Sequence, residues 1–130
     1  MGFDINGIKP INEKGVYFTN NVWWWRPLWW TICKHTPELT QHERQTGQYN
    51  DGLVIDGDKH TAVVRTLKWL VKEKPRRDEF ASVDADYGKL GNTSMRELDA
   101  RMFGQDYRFH WDNVQSFLEF CEGNQGFKIN

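Results

Sequence analysis

The sequence predicts an α+β fold, in which about four helices pack against a small, mostly antiparallel sheet with strands near both termini. Three observations lead to this prediction. Segments near each end alternate apolar and polar residues with the period of a half-buried strand. The segments between them carry apolar residues at helical spacing. At 130 residues the chain has the size of one domain, so residues 1–130 are expected to form a single compact unit.

Four short segments have the composition of strands. Phe3 to Ile8 alternates apolar with polar residues, and Val16 to Thr19 is β-branched and aromatic. Aromatic residues also alternate with polar ones across 107–111, and Gly126 to Ile129 has the composition of a last short strand. The predicted strands are therefore centred on Phe3, Tyr17, Tyr107 and Phe127.

Four helices are predicted near Trp29, Val63, Leu98 and Phe117. The first spans about Arg26 to Lys34, with one further turn from Val22 as an extension, because Pro27 is tolerated in a first helical turn. A short surface helix is also expected from Pro37 to about Gln45. The apolar stripes predict a core that contains Leu28, Trp29, Ile32, Val63, Leu67, Leu70, Leu98, Phe117, Leu118 and Cys121.

The run from Trp23 to Trp30 holds five of the seven tryptophans of the chain. Residues of one helix lie about 100° apart around its axis, so a single helix cannot direct five indoles to one core. Trp25 and Trp29 follow the core-facing spacing. Trp23, Trp24 and Trp30 remain as candidates for a pocket, a groove or a partner surface.

A ligand site is predicted around this run. Indole faces stack on nucleobases, and the guanidinium of Arg26 can hold a phosphate through a forked pair of hydrogen bonds. Nearby amides and carboxylates add hydrogen bonds to a base or ribose edge. The predicted binding residues are Trp23, Trp24, Arg26, Asn20, Asn21, Asn50 and Asp51. The alternative is that the same residues form a Trp-rich core with asparagine caps and an arginine ion pair.

Other functions find little support in the composition and motifs. A formal net charge of −1 offers no attraction for a polyanion, so direct DNA binding is not expected. The sequence lacks an apolar run of about 18 residues and a secretion signal, which favours a cytoplasmic protein without membrane association. Phosphate-loop, dinucleotide-binding and zinc-protease motifs are absent from the sequence. The four histidines are scattered, and Cys33 and Cys121 have the pattern of reduced core thiols, so no metal or cofactor is predicted.

Two terminal segments resemble a family of small proteins from bacteriophages and from bacteria that carry them. The N-terminal match is Met1-Gly2-Phe3-Asp4-Ile5-Asn6-Gly7, then Asn12-Glu13-Lys14-Gly15-x-Tyr17-Phe18, then Asn20-Asn21-x-Trp23-Trp24-Trp25-Arg26-Pro27-Leu28. The C-terminal match runs from Asn113-Val114 through Phe117 and Phe120 to Gly126-Phe127-Lys128-Ile129. Some members carry a Cys-x-x-Cys insert, which the segment 84–94 of this chain lacks. The resemblance implies a phage-linked setting inside a host bacterial cell and supplies no activity.

Three classes of function remain open. The first is a non-enzymatic capture protein that binds a nucleotide-like small molecule, used to counter host defence signalling. The second is an inhibitor that binds a host defence protein through the same aromatic surface. The third is a nucleotide-acting enzyme that uses His42, His110, Asp4 or Asp51 as acid or base; no positioned pair is visible, so no catalytic residue is assigned. A Trp-lined pocket favours capture, and a flat aromatic patch favours protein binding.

Overall fold

The computed structural model describes residues 2–75, 89–90, 93–94 and 109–130. In these residues the chain has the predicted α+β fold, a four-stranded antiparallel sheet with four helices packed against it. The sheet contains β1 (Gly2–Ile8), β2 (Tyr17–Asn21), β3 (Leu53–Asp56) and β6 (Gly126–Ile129), and a separate hairpin contains β4 (Lys89–Leu90) and β5 (Thr93–Ser94). The helices are α1 (Val22–Lys34), α2 (Gln41–Thr46), α3 (Gly57–Glu73) and α4 (Trp111–Glu122), and a 3₁₀ turn (Glu13–Gly15) precedes β2.

The two terminal strands form the centre of the sheet. The strand order is β2-β1-β6-β3, and each neighbouring pair is antiparallel. Strand β1 pairs with β6 from Ile5 opposite Ile129 to Ile8 opposite Gly126. The predicted pairing of the terminal strands is therefore confirmed. Their inward-facing side chains are fully buried, as the period of a strand requires: Phe3, Ile5, Phe127 and Ile129.

The strand predicted across 107–111 is wrong where the structure describes that segment. Phe109 and His110 have no regular structure, and Trp111 already belongs to α4. The rings of Phe109 and Trp111 pack edge to face with centroids 4.9 Å apart, so the alternating aromatics contact each other instead of facing a sheet. Tyr107 and Arg108 lie outside the described residues. The fourth strand is β3, which sequence analysis missed because only Ile55 of its four residues is buried.

Helix α1 includes the extra turn from Val22 that the sequence offers as an extension of Arg26 to Lys34. It begins at Val22 because the side chain of Asn21 accepts the backbone N–H groups of Trp23 and Trp24, at 3.1 and 3.2 Å. Pro27 therefore lies inside the helix and not in its first turn. The run of tryptophans thus belongs to one continuous helix.

Helix α2 starts later than predicted. It begins at Gln41, after Thr40, and not at Pro37. Thr40 and Glu43 form a reciprocal capping box, in which each side chain accepts the backbone N–H of the other residue. The capping box satisfies two backbone donors, whereas Pro37 only removes one. The helix predicted near Leu98 lies outside the described residues.

The predicted core is confirmed wherever the structure describes it. Aromatic rings dominate its centre. The Trp25 ring stacks on Phe3 and Trp29 at centroid distances of 5.8 and 5.7 Å, and Phe117 meets Trp25 edge-on at 5.3 Å. The buried members of the predicted set are Leu28, Trp29, Ile32, Val63, Leu67, Leu70, Phe117, Leu118 and Cys121.

A single buried amide, that of Asn124, joins four elements around this core. Its Nδ2 donates to the carbonyl oxygens of Gly15 and Phe120, at 3.1 and 2.9 Å. Its Oδ1 accepts from the Gly126 backbone N–H at 3.2 Å and lies 3.0 Å from Nε2 of His60. An amide side chain has two donors and two acceptor lone pairs, so the hydrogen-bonding capacity of Asn124 is filled. The 3₁₀ turn, α3, α4 and β6 meet at this one group.

Close backbone contact beside Asn124 requires glycine. A Cβ atom at Gly15 would lie 1.7 Å from the carbonyl oxygen of Gly123, and a Cβ atom at Gly7 would lie 1.7 Å from that of Gly15. Real side chains do not approach a backbone this closely, so any larger residue at Gly7 or Gly15 would separate the segments. The glycines therefore allow the 3₁₀ turn to reach the end of α4.

The network at Asn124 also determines which nitrogen of His60 carries the proton. Both groups near Nε2 are acceptors, namely the Cys121 carbonyl and Asn124 Oδ1, each at 3.0 Å. The Asn124 amide cannot be reversed, because its Nδ2 already donates to two carbonyls. His60 is therefore a donor through Nε2–H. Burial lowers the pKa of His60 below its ordinary value, although the hydrogen bonds to Asn124 and Cys121 oppose that effect.

We expect Asn124→Ala to lower the free energy of unfolding by about 2–4 kcal/mol, because it leaves buried donors and acceptors without partners. Urea unfolding measures this change. The matched control is Gln125→Ala, which removes an exposed amide next in the chain and should change stability by less than about 0.5 kcal/mol. Equal effects of the two substitutions would show that the Asn124 network contributes nothing special.

His60 should make the stability of the protein depend on pH. Below about pH 6.5 the histidine of the unfolded chain takes up a proton while the folded chain, with its lowered pKa, resists protonation. Stability contributed by the neutral ring is therefore lost as the pH falls from about 6.5 towards that lowered pKa. His60→Gln keeps a donor but cannot titrate, so the variant should lose less stability between about pH 8 and pH 5. Parallel slopes for both proteins in urea unfolding would contradict this.

Candidate functional site

Two of the five clustered tryptophans have a structural role. The indole N–H of Trp25 donates to the Gly47 carbonyl at 2.9 Å, and that of Trp29 donates to the Arg44 carbonyl at 3.1 Å. Both rings are fully buried. A Cβ atom at Gly47 would lie 2.2 Å from the Trp29 indole, so the chain passes directly against the ring. Through these hydrogen bonds α1 holds the end of α2 and the loop that follows it in place.

Trp30 is also part of the interior. It was left by the helical pattern as a candidate for a pocket or partner surface, but it is fully buried and that prediction is wrong. The other two candidates differ: Trp23 is 44% exposed and Trp24 is half-buried. The single-helix argument correctly required some indoles to leave the core, and it placed Trp30 among them because helical spacing does not show which other faces of a helix are covered in the fold.

The predicted asparagines already have hydrogen-bond partners. The side chain of Asn21 caps α1, as described above. Asn50 Nδ2 donates to the carbonyl of Gly2 at 3.1 Å, at an end of β1 that β6 does not reach. Asn20 and Asn113 form a reciprocal amide pair, in which each Nδ2 donates to the other Oδ1, at 3.1 and 2.9 Å. Asp51 is exposed beside Asn50. The role of these four residues in ligand binding stays a prediction.

Arg26 of α1 contacts the loop that follows α2. Its Nε donates to the Gln48 carbonyl at 3.2 Å, and its guanidinium carbon lies 5.4 Å from the centre of the Tyr49 ring. Tyr49 is 50% exposed. With Trp23 one helical turn before Arg26, these residues define an aromatic and basic surface, here called the Trp23 surface: Trp23, Arg26 and Tyr49.

A cleft opens at a different place, where α1 faces the first turns of α4. It has a volume of about 370 Å³ and is lined by Trp24, His110, Asp112, Asn113 and Ser116. We call it the Trp24 cleft. The Asn20–Asn113 amide pair joins β2 to one of its lining residues. The predicted site residues are therefore divided: Trp24 and Asn20 belong to this cleft or its edge, and Trp23 and Arg26 belong to the Trp23 surface.

The cleft combines one aromatic face with hydrogen-bonding groups of several kinds. His110 Nδ1 accepts the backbone N–H of Asp112 at 3.0 Å, so in the neutral ring the proton is on Nε2. The Asp112 carboxylate is 95% exposed, and its Oδ2 lies 3.4 Å from the same Nδ1. Ser116 adds a hydroxyl and Asn113 an amide. Donors and acceptors thus surround a half-buried indole.

Sequence reasoning did not select four of the five cleft residues as ligand contacts. The sequence predicts a strand at His110, which enters only as an acid or base of the enzyme alternative, and a helix cap at Asp112. Asn113 and Ser116 lie at i and i+3 on one face of α4, beside the buried stripe that contains Val114 and Phe117. That spacing shows that they share a face. It does not show that the face meets Trp24, which depends on how α1 and α4 pack.

A larger cavity, of about 540 Å³, lies between α3 and the end of α4 and includes His60 and Asn124 in its lining. We consider it the weaker candidate. The polar groups of its floor are already bonded to one another, and Arg65 at its rim is held by two hydrogen bonds to Glu38. Its lining in the described residues includes no aromatic ring other than His60.

Metal and thiol chemistry have little support in the described part of the chain. There, no three His, Cys, Asp or Glu side chains are grouped closely enough to hold a metal ion. Cys33 and Cys121 are free and buried, as predicted, and burial raises the pKa of both thiols, which keeps them protonated and unreactive. None of the described helices is both long and apolar enough to cross a membrane.

Comparison of the chain with protein-family models, with curated proteins and with solved structures finds no match in any of the three. The resemblance to a phage-associated family therefore stays a prediction. The case for function depends on the geometry of the Trp24 cleft and the Trp23 surface.

The cap at Asn21 gives a test of one structural assignment. Asn21→Ala should lower the free energy of unfolding by about 0.5–2 kcal/mol, because two backbone N–H groups of α1 lose their acceptor. Asn21→Ser supplies another capping oxygen and should restore most of that loss. Thermal or urea unfolding measures both. If the alanine variant were as stable as the original chain, the cap would not be holding the start of α1.

Proposed function

We propose that this protein is a non-catalytic binding protein that captures a nucleotide-like small molecule through its base and sugar in the Trp24 cleft. The observation that carries the proposal is the composition of the cleft. One wall is a half-buried indole, and the other lining residues in the described chain are polar. A flat aromatic ligand with hydrogen-bonding edges fits that combination.

Stacking and size both support a nucleoside-sized ligand. A base stacked on an aromatic side chain contributes about 1–3 kcal/mol, and every base has a π-face. Small-molecule sites usually enclose about 300–1,000 Å³, so a cleft of about 370 Å³ is at the size of a small ligand. The hydroxyl of Ser116, the amide of Asn113 and the ring of His110 supply partners for a base edge or a ribose.

Charge favours the base and sugar over the phosphate. Among the described residues that line the cleft, the fixed charge is the carboxylate of Asp112, and none is lysine or arginine. A phosphate inside the cleft would therefore meet repulsion. Arg26, which the sequence suggested as the phosphate ligand, lies on the Trp23 surface. In this proposal the phosphate of a nucleotide points towards solvent.

Capture without turnover is supported by the hydrogen bonds of the cleft. A hydroxyl nucleophile needs a base within hydrogen-bonding reach. In the described structure no hydrogen bond joins the Ser116 hydroxyl to His110, and Nδ1 of His110 is occupied by the Asp112 backbone. As a biological setting we propose phage counter-defence, in which the protein sequesters a signalling nucleotide of the host cytoplasm.

A second candidate is inhibition of a host protein through the Trp23 surface. Its support is the exposure of two large aromatic side chains, Trp23 at 44% and Tyr49 at 50%, with Arg26 packed over the Tyr49 ring. Trp, Tyr and Arg are the residue types that most often dominate protein–protein binding energy. This candidate uses residues that the nucleoside cleft does not need, so the two can be separated.

The test compares Trp24→Leu with Trp23→Leu. Equilibrium dialysis with adenosine, guanosine, cytidine and uridine and with their 5′-monophosphates measures binding. We expect at least one nucleoside to bind, and Trp24→Leu to weaken that binding by about 5- to 150-fold, which corresponds to about 1–3 kcal/mol of stacking. Trp23→Leu should bind like the original protein.

A second variant tests the cleft independently, in case Trp24→Leu does not fold. Ser116 is exposed on α4, so Ser116→Trp fills the cleft from the α4 side while Trp24 itself is kept. It should also abolish binding, in a protein whose thermal unfolding is unchanged. Binding that survives both substitutions would refute the cleft. Absence of binding by all eight compounds, together with loss of a host-protein partner in Trp23→Leu alone, would favour the second candidate.

A further inference from the structure

We infer that His110 is a positioning residue for the Trp24 cleft that works only as the neutral imidazole, so that capture is controlled by pH. The inference rests on the proposed function, since it concerns the same cleft. Its origin is an unusual helix cap. Side-chain oxygens of Ser, Thr, Asp or Asn normally cap a helix, whereas α4 is capped by a ring nitrogen.

His110 satisfies the first amides of α4 in two ways. Its backbone is extended, and its Nδ1 accepts the Asp112 N–H at 3.0 Å. Its carbonyl oxygen lies 3.1 Å from the N–H of Asn113 and 3.4 Å from that of Val114. The start of α4 therefore depends on His110 for its hydrogen bonds.

The cap determines the positions of most of the cleft. Asp112, Asn113 and Ser116 all lie within the first six residues of α4. Asn113 is also held by the reciprocal amide pair with Asn20 of β2. If the first turn of α4 opens, that pair and the lining of the cleft are disturbed together.

Protonation removes the cap for a simple chemical reason. An imidazolium has N–H on both nitrogens and accepts no hydrogen bond, so Nδ1 and the Asp112 amide would become two donors facing each other. The positive ring would also lie at the positive end of the helix dipole. Both effects favour opening of the first turn in acid.

The Asp112 carboxylate offers the protonated ring a different partner. Its Oδ2 is 3.4 Å from Nδ1, close enough to replace the backbone amide once Nδ1 carries a proton. Since that carboxylate is almost fully exposed, solvent screens the ion pair and the gain is small. Among the described residues, the other groups that line the cleft around His110 are Trp24 from α1 and Asn113 and Ser116 from α4; none of them carries a charge, and neither does Asn20 of β2. Acid thus exchanges a helix cap for a weak surface pair.

The first experiment measures the cap directly and needs no ligand. Hydrogen-exchange protection factors of the Asp112 and Asn113 amides, corrected for intrinsic exchange, are followed by NMR between about pH 8 and pH 5, the range in which imidazole changes charge. We expect protection in the original protein to fall by about 2- to 30-fold on acidification, which is a cap worth about 0.5–2 kcal/mol. His110→Asn, a cap without a titrating group, should keep its protection across the range. In His110→Ala, protection should stay across the range at the low value that the original protein reaches in acid, because the side-chain acceptor is missing while the backbone carbonyl of position 110 remains.

The second experiment measures capture with adenosine, whose base keeps one protonation state over this range. Binding to the original protein should weaken on acidification, by no more than the factor by which protection falls, because affinity follows the fraction of molecules in which the start of α4 is capped. Binding to His110→Asn should vary little with pH. Constant protection in the original protein, or an equal fall in His110→Asn, would overturn the inference while leaving nucleoside binding intact. If adenosine bound at no pH, it would not be a ligand and the proposed control of its capture would be wrong. The protection factors would still show whether His110 caps α4 only in its neutral form.

Discussion

The fold depends on a single buried side-chain amide, that of Asn124, whose hydrogen-bonding positions are all occupied. Asn124 uses both donors and both acceptor positions on partners from the 3₁₀ turn, α3, α4 and β6. Each partner residue is buried, so loss of the amide would leave its hydrogen-bonding groups without a protein partner. The same contact requires Gly15 and Gly123 to touch through their backbones. Because β6 begins two residues after Asn124, at the Gly126 whose N–H this amide accepts, the amide also fixes where the last strand enters the centre of the sheet.

Helix α1 shows how one sequence feature can serve two purposes. Trp25 and Trp29 direct their rings into the core and their indole N–H groups to the backbone after α2, which satisfies the polar end of each buried ring. On the same helix, Trp23 is exposed and Trp24 is half-buried. The aromatic surplus is therefore shared between stability and two exposed places, the Trp24 cleft and the Trp23 surface.

The geometry of the Trp24 cleft depends on α4, the helix that faces Trp24. Its polar residues occupy the beginning of α4, and the end of α4 is held at Asn124. The far end is thus anchored by a filled network of buried hydrogen bonds, while the end at the cleft is held by the ring of His110. Free energies of local opening are lowest at such helix ends, and binding regions are commonly found there. One short helix can therefore have a firmly held C-terminal end and an N-terminal end that opens more easily.

The sequence by itself determined the fold class, the pairing of the terminal strands and the buried stripes of α1, α3 and α4, since the periods of helices and strands are local properties. Turn and cap chemistry could also be read locally, and the error near His110 arose because a short aromatic alternation looks the same in a strand and in a pre-helical segment. Only the tertiary structure decided which asparagine side chains already have hydrogen-bond partners within the protein. Asn20, Asn50 and Asn124 find partners 93, 48 and 109 residues away, a distance that no window of sequence spans. For the same reason the meeting of Trp24 with Asn113 and Ser116 was decided by the packing of α1 against α4. Their side chains become a cleft only where two helices from opposite ends of the chain come together.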